Sequence, residues 1–145
     1  MSRLDETKQA YEKLEQLLDQ EIRTRTGPTK DLERFRETLE VAFYLLGWSQ
    51  FEYLVREEMK AIVEQKARAH TVDGHAWKYL LDNAKDIPVR RRLDVIFHAD
   101  AAVRGTLDKD YSVRNEAAHN YKKLPSEAKN IADWLAKLEL LVSKF

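Results

Sequence analysis

The sequence predicts an all-α fold, an up-and-down bundle of about five or six helices. Three observations predict it. The 145 residues include only four glycines and three prolines, too few for the many corners of an all-β chain. Apolar residues recur at three- and four-residue spacing along most of the chain. No segment shows the strict alternation of a half-buried strand. The length suits one domain, and residues 1–145 read as a single helical domain.

The elements follow in order, punctuated at Gly27-Pro28, Asp73-Gly74, Pro88, Gly105 and Pro125. Leu4, Tyr11, Leu14, Leu18 and Ile22 form one apolar stripe, which predicts a helix over about 3–26. Thr29 or Asp31 suits the cap of the next helix, since a side-chain oxygen there accepts a free first-turn N–H. That helix is long, about 31–69. Its middle, VAFYLLGW at 41–48, is apolar all round and belongs in the centre of a bundle. Gly47 inside it costs about 1 kcal/mol relative to Ala, which close backbone packing would explain. Residues 75–84 read as a short helix. Pro88 suits the first turn of another, with Val89, Leu93, Ile96 and Phe97 on one face and His98 and Asp100 at its end. Asp110 or Ser112 caps a further helix ending near Tyr121, and Pro125 and Ser126 open the last. Ile131, Trp134, Leu135, Leu138, Leu141, Val142 and Phe145 give the last helix the clearest stripe in the chain.

Composition excludes several chemistries. Without cysteine there is no disulfide, thiolate metal site or Cys nucleophile. No apolar run approaches the ~20 residues that span a bilayer. The opening MSRLDETKQAYEKLEQ is polar and acidic, unlike a secretory signal, and predicts a cytoplasmic protein. Net charge is zero, but residues 1–60 carry net −3 and residues 84–129 net +3. A modest basic surface in the later half would attract phosphates. There is no GxxxxGKS/T, GxGxxG or GxSxG motif. His70 and His75, with Asp73, lack a further ligand at metal-binding spacing and read as surface residues beside a turn. No metal or cofactor is expected.

The informative stretch is DYSVRNEAAHNYK at 110–122. Placed at a helix start capped by Ser112, Asn115 and His119 lie four apart and share a face. Arg114 lies about 140° from His119 at 100° per residue. Ala117 and Ala118 keep the turn slim. Histidine exchanges protons near neutral pH, arginine forks onto phosphate oxygens, and a helix N-terminus favours anions. These groups suit phosphodiester cleavage without a metal, with His119 as general acid or base and Arg114 stabilising charge on the phosphorus oxygens.

Arg114-Asn115-Glu116-Ala117-Ala118-His119 resembles the RxxxxH motif of the HEPN superfamily, whose domains are small all-α bundles. With Asn120 and Tyr121 it resembles the RxxxxHxY form of HEPN toxins paired with minimal nucleotidyltransferase antitoxins, although Asn120 replaces the glycine frequent there. The resemblance implies a metal-independent endoribonuclease that leaves 2′,3′-cyclic phosphate and 5′-OH ends, in a toxin–antitoxin or phage-defence system. It implies catalysis by Arg114 and His119, orientation or substrate binding by Asn115, and a homodimer with two motifs in one cleft. It also implies an antitoxin or nucleotidyltransferase partner that adenylylates Tyr121. The alternative is a non-catalytic HEPN-type dimerisation or partner-binding module.

Lys122 and Lys123 follow the motif directly and suit RNA binding. Arg90, Arg91 and Arg92 form a basic run, either a solvated face or a hold on an RNA backbone. Glu52 beside Gln50 reads as a solvated or paired helix residue, with tuning of His119 as the alternative. Trp48, Trp77 and Trp134 are expected in the core.

Overall fold

A computed structural model describes residues 2–120 and 122–145. Among them the chain is all-α, with six α-helices and no strand: α1 (Arg3–Thr24), α2 (Lys30–Ala67), α3 (Val72–Asp82), α4 (Val89–Ile96), α5 (Ala101–Asn120) and α6 (Ile131–Val142). Short 3-10 turns occupy Ala84–Asp86 and Ser126–Ala128. No helix among the described residues is long and apolar enough to cross a membrane.

Several ends lie where the sequence places them, and others do not. The Ser2 hydroxyl caps α1 by accepting the Asp5 N–H. Arg25 closes the α1–α2 turn on Asp31 at 2.7 Å. The short helix α3 begins earlier than expected, because the Thr71 hydroxyl accepts the Gly74 N–H at 3.1 Å. Asp100 does not end α4; it starts α5, with Oδ1 accepting the Val103 N–H at 2.9 Å. The last helix is capped by Asn130, not by Pro125 or Ser126.

The chain divides into two compact units. The first comprises Met1–Phe51 and Asp110–Lys144, and the second comprises Glu52–Lys109 with Phe145. The first unit is a helical bundle. The hydrogen bond from Thr7 to Gln50 and the ion pair of Asp19 with Arg36 set α1 antiparallel to α2. Its core holds Leu4, Tyr11, Tyr44, Trp48, Phe51, Ile131, Leu135 and Leu138. Each such aliphatic or Phe side chain contributes about 1.5–3 kcal/mol by leaving water. Tyr44 stacks on Trp134 with ring centroids 4.1 Å apart.

Gly47 confirms the close packing expected of it. A Cβ there would fall 2.4 Å from Leu135 Cδ2 and 2.9 Å from Trp134 Cζ3. The segment around it is not apolar-buried on every side, however. Leu46 is 45% exposed, while Tyr44 and Trp48 are fully buried. The stripes of α1 and α6 also fade outward, since Leu14 and Phe145 are exposed.

In the second unit Met59, Val63, Val89, Leu93 and Leu107 are buried. Trp77 is only half-buried there, with the Lys66 ammonium 5.6 Å from its ring centre. Arg92 is buried and donates to the Ala84 carbonyl at 3.2 Å, so it is a structural residue of the α4 start.

Candidate active site

The RxxxxH stretch lies in the first unit, in the last two turns of α5. This corrects the sequence reading, which placed it at a helix start. Two features of the sequence account for the difference. Gly105 suits a break, yet α5 runs through it, since one helical glycine costs only about 1 kcal/mol. Asp110 or Ser112 suits a cap, yet both lie inside the helix. The first turn of α5 therefore belongs to Ala101 and its neighbours, and it gives no anion preference at the motif.

Asp110 instead fixes α5 in place. Its Oδ2 accepts from Trp134 Nε1 of α6 at 3.1 Å, and its backbone carbonyl accepts from the Tyr44 hydroxyl of α2 at 3.1 Å. Burial pushes the Asp110 carboxyl above the usual carboxylate range, and the hydrogen bond from Trp134 opposes the shift. Burial likewise raises the Tyr44 hydroxyl, which keeps it a donor. Ala117, two turns on from Asp110 and on nearly the same side, is buried. These contacts position the motif between them.

Arg114 flanks that inward side and is half-buried. Its Nη1 donates to Asn115 Oδ1 at 3.0 Å, and its Nε is buried without a hydrogen-bond partner among the described residues. Asn115 is half-buried and His119 is exposed. On the helix wheel Asn115 stands about 100° from Arg114, and His119 about 40° further in the same direction. The Asn115 amide thus draws the guanidinium towards the face that carries His119.

The neighbouring charges are partly spent on one another. Lys122 pairs with Glu116 at 2.9 Å, and Asn120 also donates to Glu116 at 3.1 Å. The Lys122 hydrogen bond, then that of Asn120, holds the Glu116 carboxyl below its usual range. Lys123 pairs with Glu37 at 3.6 Å. All four charged groups remain at the surface or half-buried. Tyr121 lies outside the described residues.

The structure therefore brings Arg114, Asn115 and His119 onto adjoining faces of one helix, with Lys122 and Lys123 following. Glu52 is half-buried in α2 within the second unit. Arg90 and Arg91 are also in that unit, paired with Asp108 at 2.6 Å and Asp94 at 3.3 Å. His70 and His75 are exposed, and no group of three His, Asp or Glu suited to a metal gathers among the described residues. Sequence reasoning missed the clamp of Asp110 on Tyr44 and Trp134. Its partners lie 66 and 24 residues away, and only the Asp itself was visible.

An Arg and an exposed His on adjoining faces of one helix suit binding of an oxyanion and transfer of a proton. Comparison of the chain with protein-family models, curated proteins and solved structures gives no match.

Proposed function

We propose that this protein is a HEPN-type, metal-independent endoribonuclease. The observation that carries the reading is the Arg114–Asn115 hydrogen bond, which turns the guanidinium towards the face of His119. In the proposed reaction the His119 imidazole takes the proton of a ribose 2′-OH. The O2′–P bond forms, charge on the phosphorus oxygens is met by Arg114, and the P–O5′ bond breaks. The departing O5′ takes a proton, leaving 2′,3′-cyclic phosphate and 5′-OH ends. A homodimer would supply a second His119 for that last proton. Lys122 and Lys123 would contact the flanking backbone. A toxin–antitoxin or defence role, with an antitoxin or nucleotidyltransferase partner, belongs to this reading.

Exposed Phe35 and Leu46 on α2 favour a second reading, a non-catalytic module for dimerisation or partner binding. Alanine variants separate the two. Arg114→Ala and His119→Ala should each cut cleavage of a mixed-sequence RNA by about 100-fold or more, the scale of acid–base and oxyanion effects. Their circular dichroism should match the parent. Undiminished cleavage in both would overturn the nuclease site.

A further inference from the structure

The second unit holds an open groove of about 590 Å³ between α4 and α5. Pockets of this size take small ligands or one residue of a longer one. Arg90, Arg91 and Arg104 line it with Asp94 and Asp108. Three guanidinium groups thus face two carboxylates.

The pairing shows where the surplus lies. Arg90 Nε meets Asp108 Oδ1 at 2.6 Å. Asp94 is shared, with Arg91 Nη1 at 3.3 Å and Arg104 Nη1 at 3.9 Å. The Arg104 contact is too long for a hydrogen bond. Its Nε is buried and has no hydrogen-bond partner among the described residues. The side chain as a whole is 36% exposed, so the loosely paired part of its guanidinium can meet an oxyanion in the groove.

The groove also has room beside Arg104. A Cβ built on Gly105 would meet nothing within 4 Å, so the space over the helix backbone is open. Pro88 and Leu93 supply an apolar wall that a ribose or base can cover.

We infer that the α4–α5 groove binds a phosphodiester of single-stranded RNA, with Arg104 and Arg91 as its recognition groups. A phosphodiester carries the one negative charge that the cluster lacks, and its oxygens suit the guanidinium fork. The inference rests on the ribonuclease reading for its choice of ligand.

The test measures binding of a non-cleavable 2′-O-methyl RNA oligonucleotide to the full chain, at several salt concentrations, with AMP and inorganic phosphate in parallel. Gly105→Glu places a carboxylate in the groove and replaces glycine with a better helix former, so the fold should survive. Gly105→Ala is the control, and Arg104→Ala removes the cation. Both Gly105→Glu and Arg104→Ala should weaken binding about five- to tenfold. Both should lower the slope of log K against log salt by about 0.7, one phosphate's worth for a single strand. Gly105→Ala, which adds one methyl and no charge, should leave the salt slope as in the parent and lose less affinity than Gly105→Glu. Unchanged affinity and slope in both groove variants overturn the inference, as does a parent that binds no oligonucleotide. Equal affinity for AMP, phosphate and the oligonucleotide overturns the assignment to a strand. Groove-dependent binding of this oligonucleotide, with no cleavage of the matching unmodified RNA in a parallel assay, would sink the nuclease reading and leave the groove standing. Cleavage of the unmodified RNA with groove-independent binding would sink the groove alone.

Discussion

Asn115 stands between Arg114 and His119 on the α5 wheel, and its Oδ1 takes a hydrogen bond from Arg114 Nη1 at 3.0 Å. Removing the amide frees the guanidinium without removing the charge. Asn115→Ala should lower kcat about tenfold, which corresponds to about 1.4 kcal/mol of transition-state stabilisation. Thermal stability should hold or rise, because alanine is the better helix former. Asn115→Asp should lose more activity, since a carboxylate competes with phosphate for Arg114. Steady-state kinetics beside a melting curve checks both, and full activity in Asn115→Ala would remove the positioning role.

Two helical glycines should respond to the same substitution with opposite signs. Gly47→Ala gains about 1 kcal/mol of helix propensity. It must also push Leu135, which is fully buried, and Trp134, which is stacked on Tyr44. Overpacking of that kind costs about 1–3 kcal/mol. We expect a net loss, with a Tm drop of a few degrees. Gly105→Ala meets nothing and should raise Tm. Differential scanning calorimetry of both variants decides the matter, and a Gly47→Ala chain as stable as Gly105→Ala would contradict the packing.

Asp110 makes stability depend on pH in a stated direction. Its folded-state carboxyl lies above its ordinary value, with burial the largest cause. A group raised on folding contributes stability below its unfolded pKa, and that contribution is lost as pH rises through the folded pKa. Asp110→Asn keeps an oxygen for Trp134 Nε1 and carries no charge. Its stability relative to the parent should therefore improve from pH 4 to pH 7. Denaturant midpoints at the two pH values measure this, and a difference independent of pH would contradict it.

Glu116 holds Lys122 at 2.9 Å. Glu116→Gln should release the ammonium to the RNA backbone. KM for RNA should fall about two- to threefold, with a steeper salt dependence. An unchanged KM would remove Lys122 from the substrate path.

How much of this was legible in the sequence depended on range. Leu4 and Tyr11 of α1, and Ile131, Trp134, Leu135 and Leu138 of α6, announced buried faces because helical periodicity is local. Gly47 announced a close approach without naming Leu135. Element boundaries were harder. The sequence places Asp100 at the end of one helix and offers Asp110 as a cap of the next, and only the fold shows that Asp100 starts α5 while Asp110 ties it to Trp134. The misplaced start carried the RxxxxH stretch from one end of a helix to the other. It left the pairing of residue types intact and removed the helix N-terminus from the chemistry. Trp77 and Leu46 are more exposed than their apolarity suggests for a related reason, since apolarity marks residues able to be buried and does not say which neighbour covers them.

The central claim concerns the proton and the phosphate at His119 and Arg114. The most direct measurement incubates end-labelled RNA with the parent chain and with His119→Ala, both in EDTA, and identifies the product ends. The expected result is cleavage by the parent alone, leaving 2′,3′-cyclic phosphate and 5′-OH termini. Equal cleavage by the His119→Ala chain, or 3′-OH and 5′-phosphate termini, would contradict it.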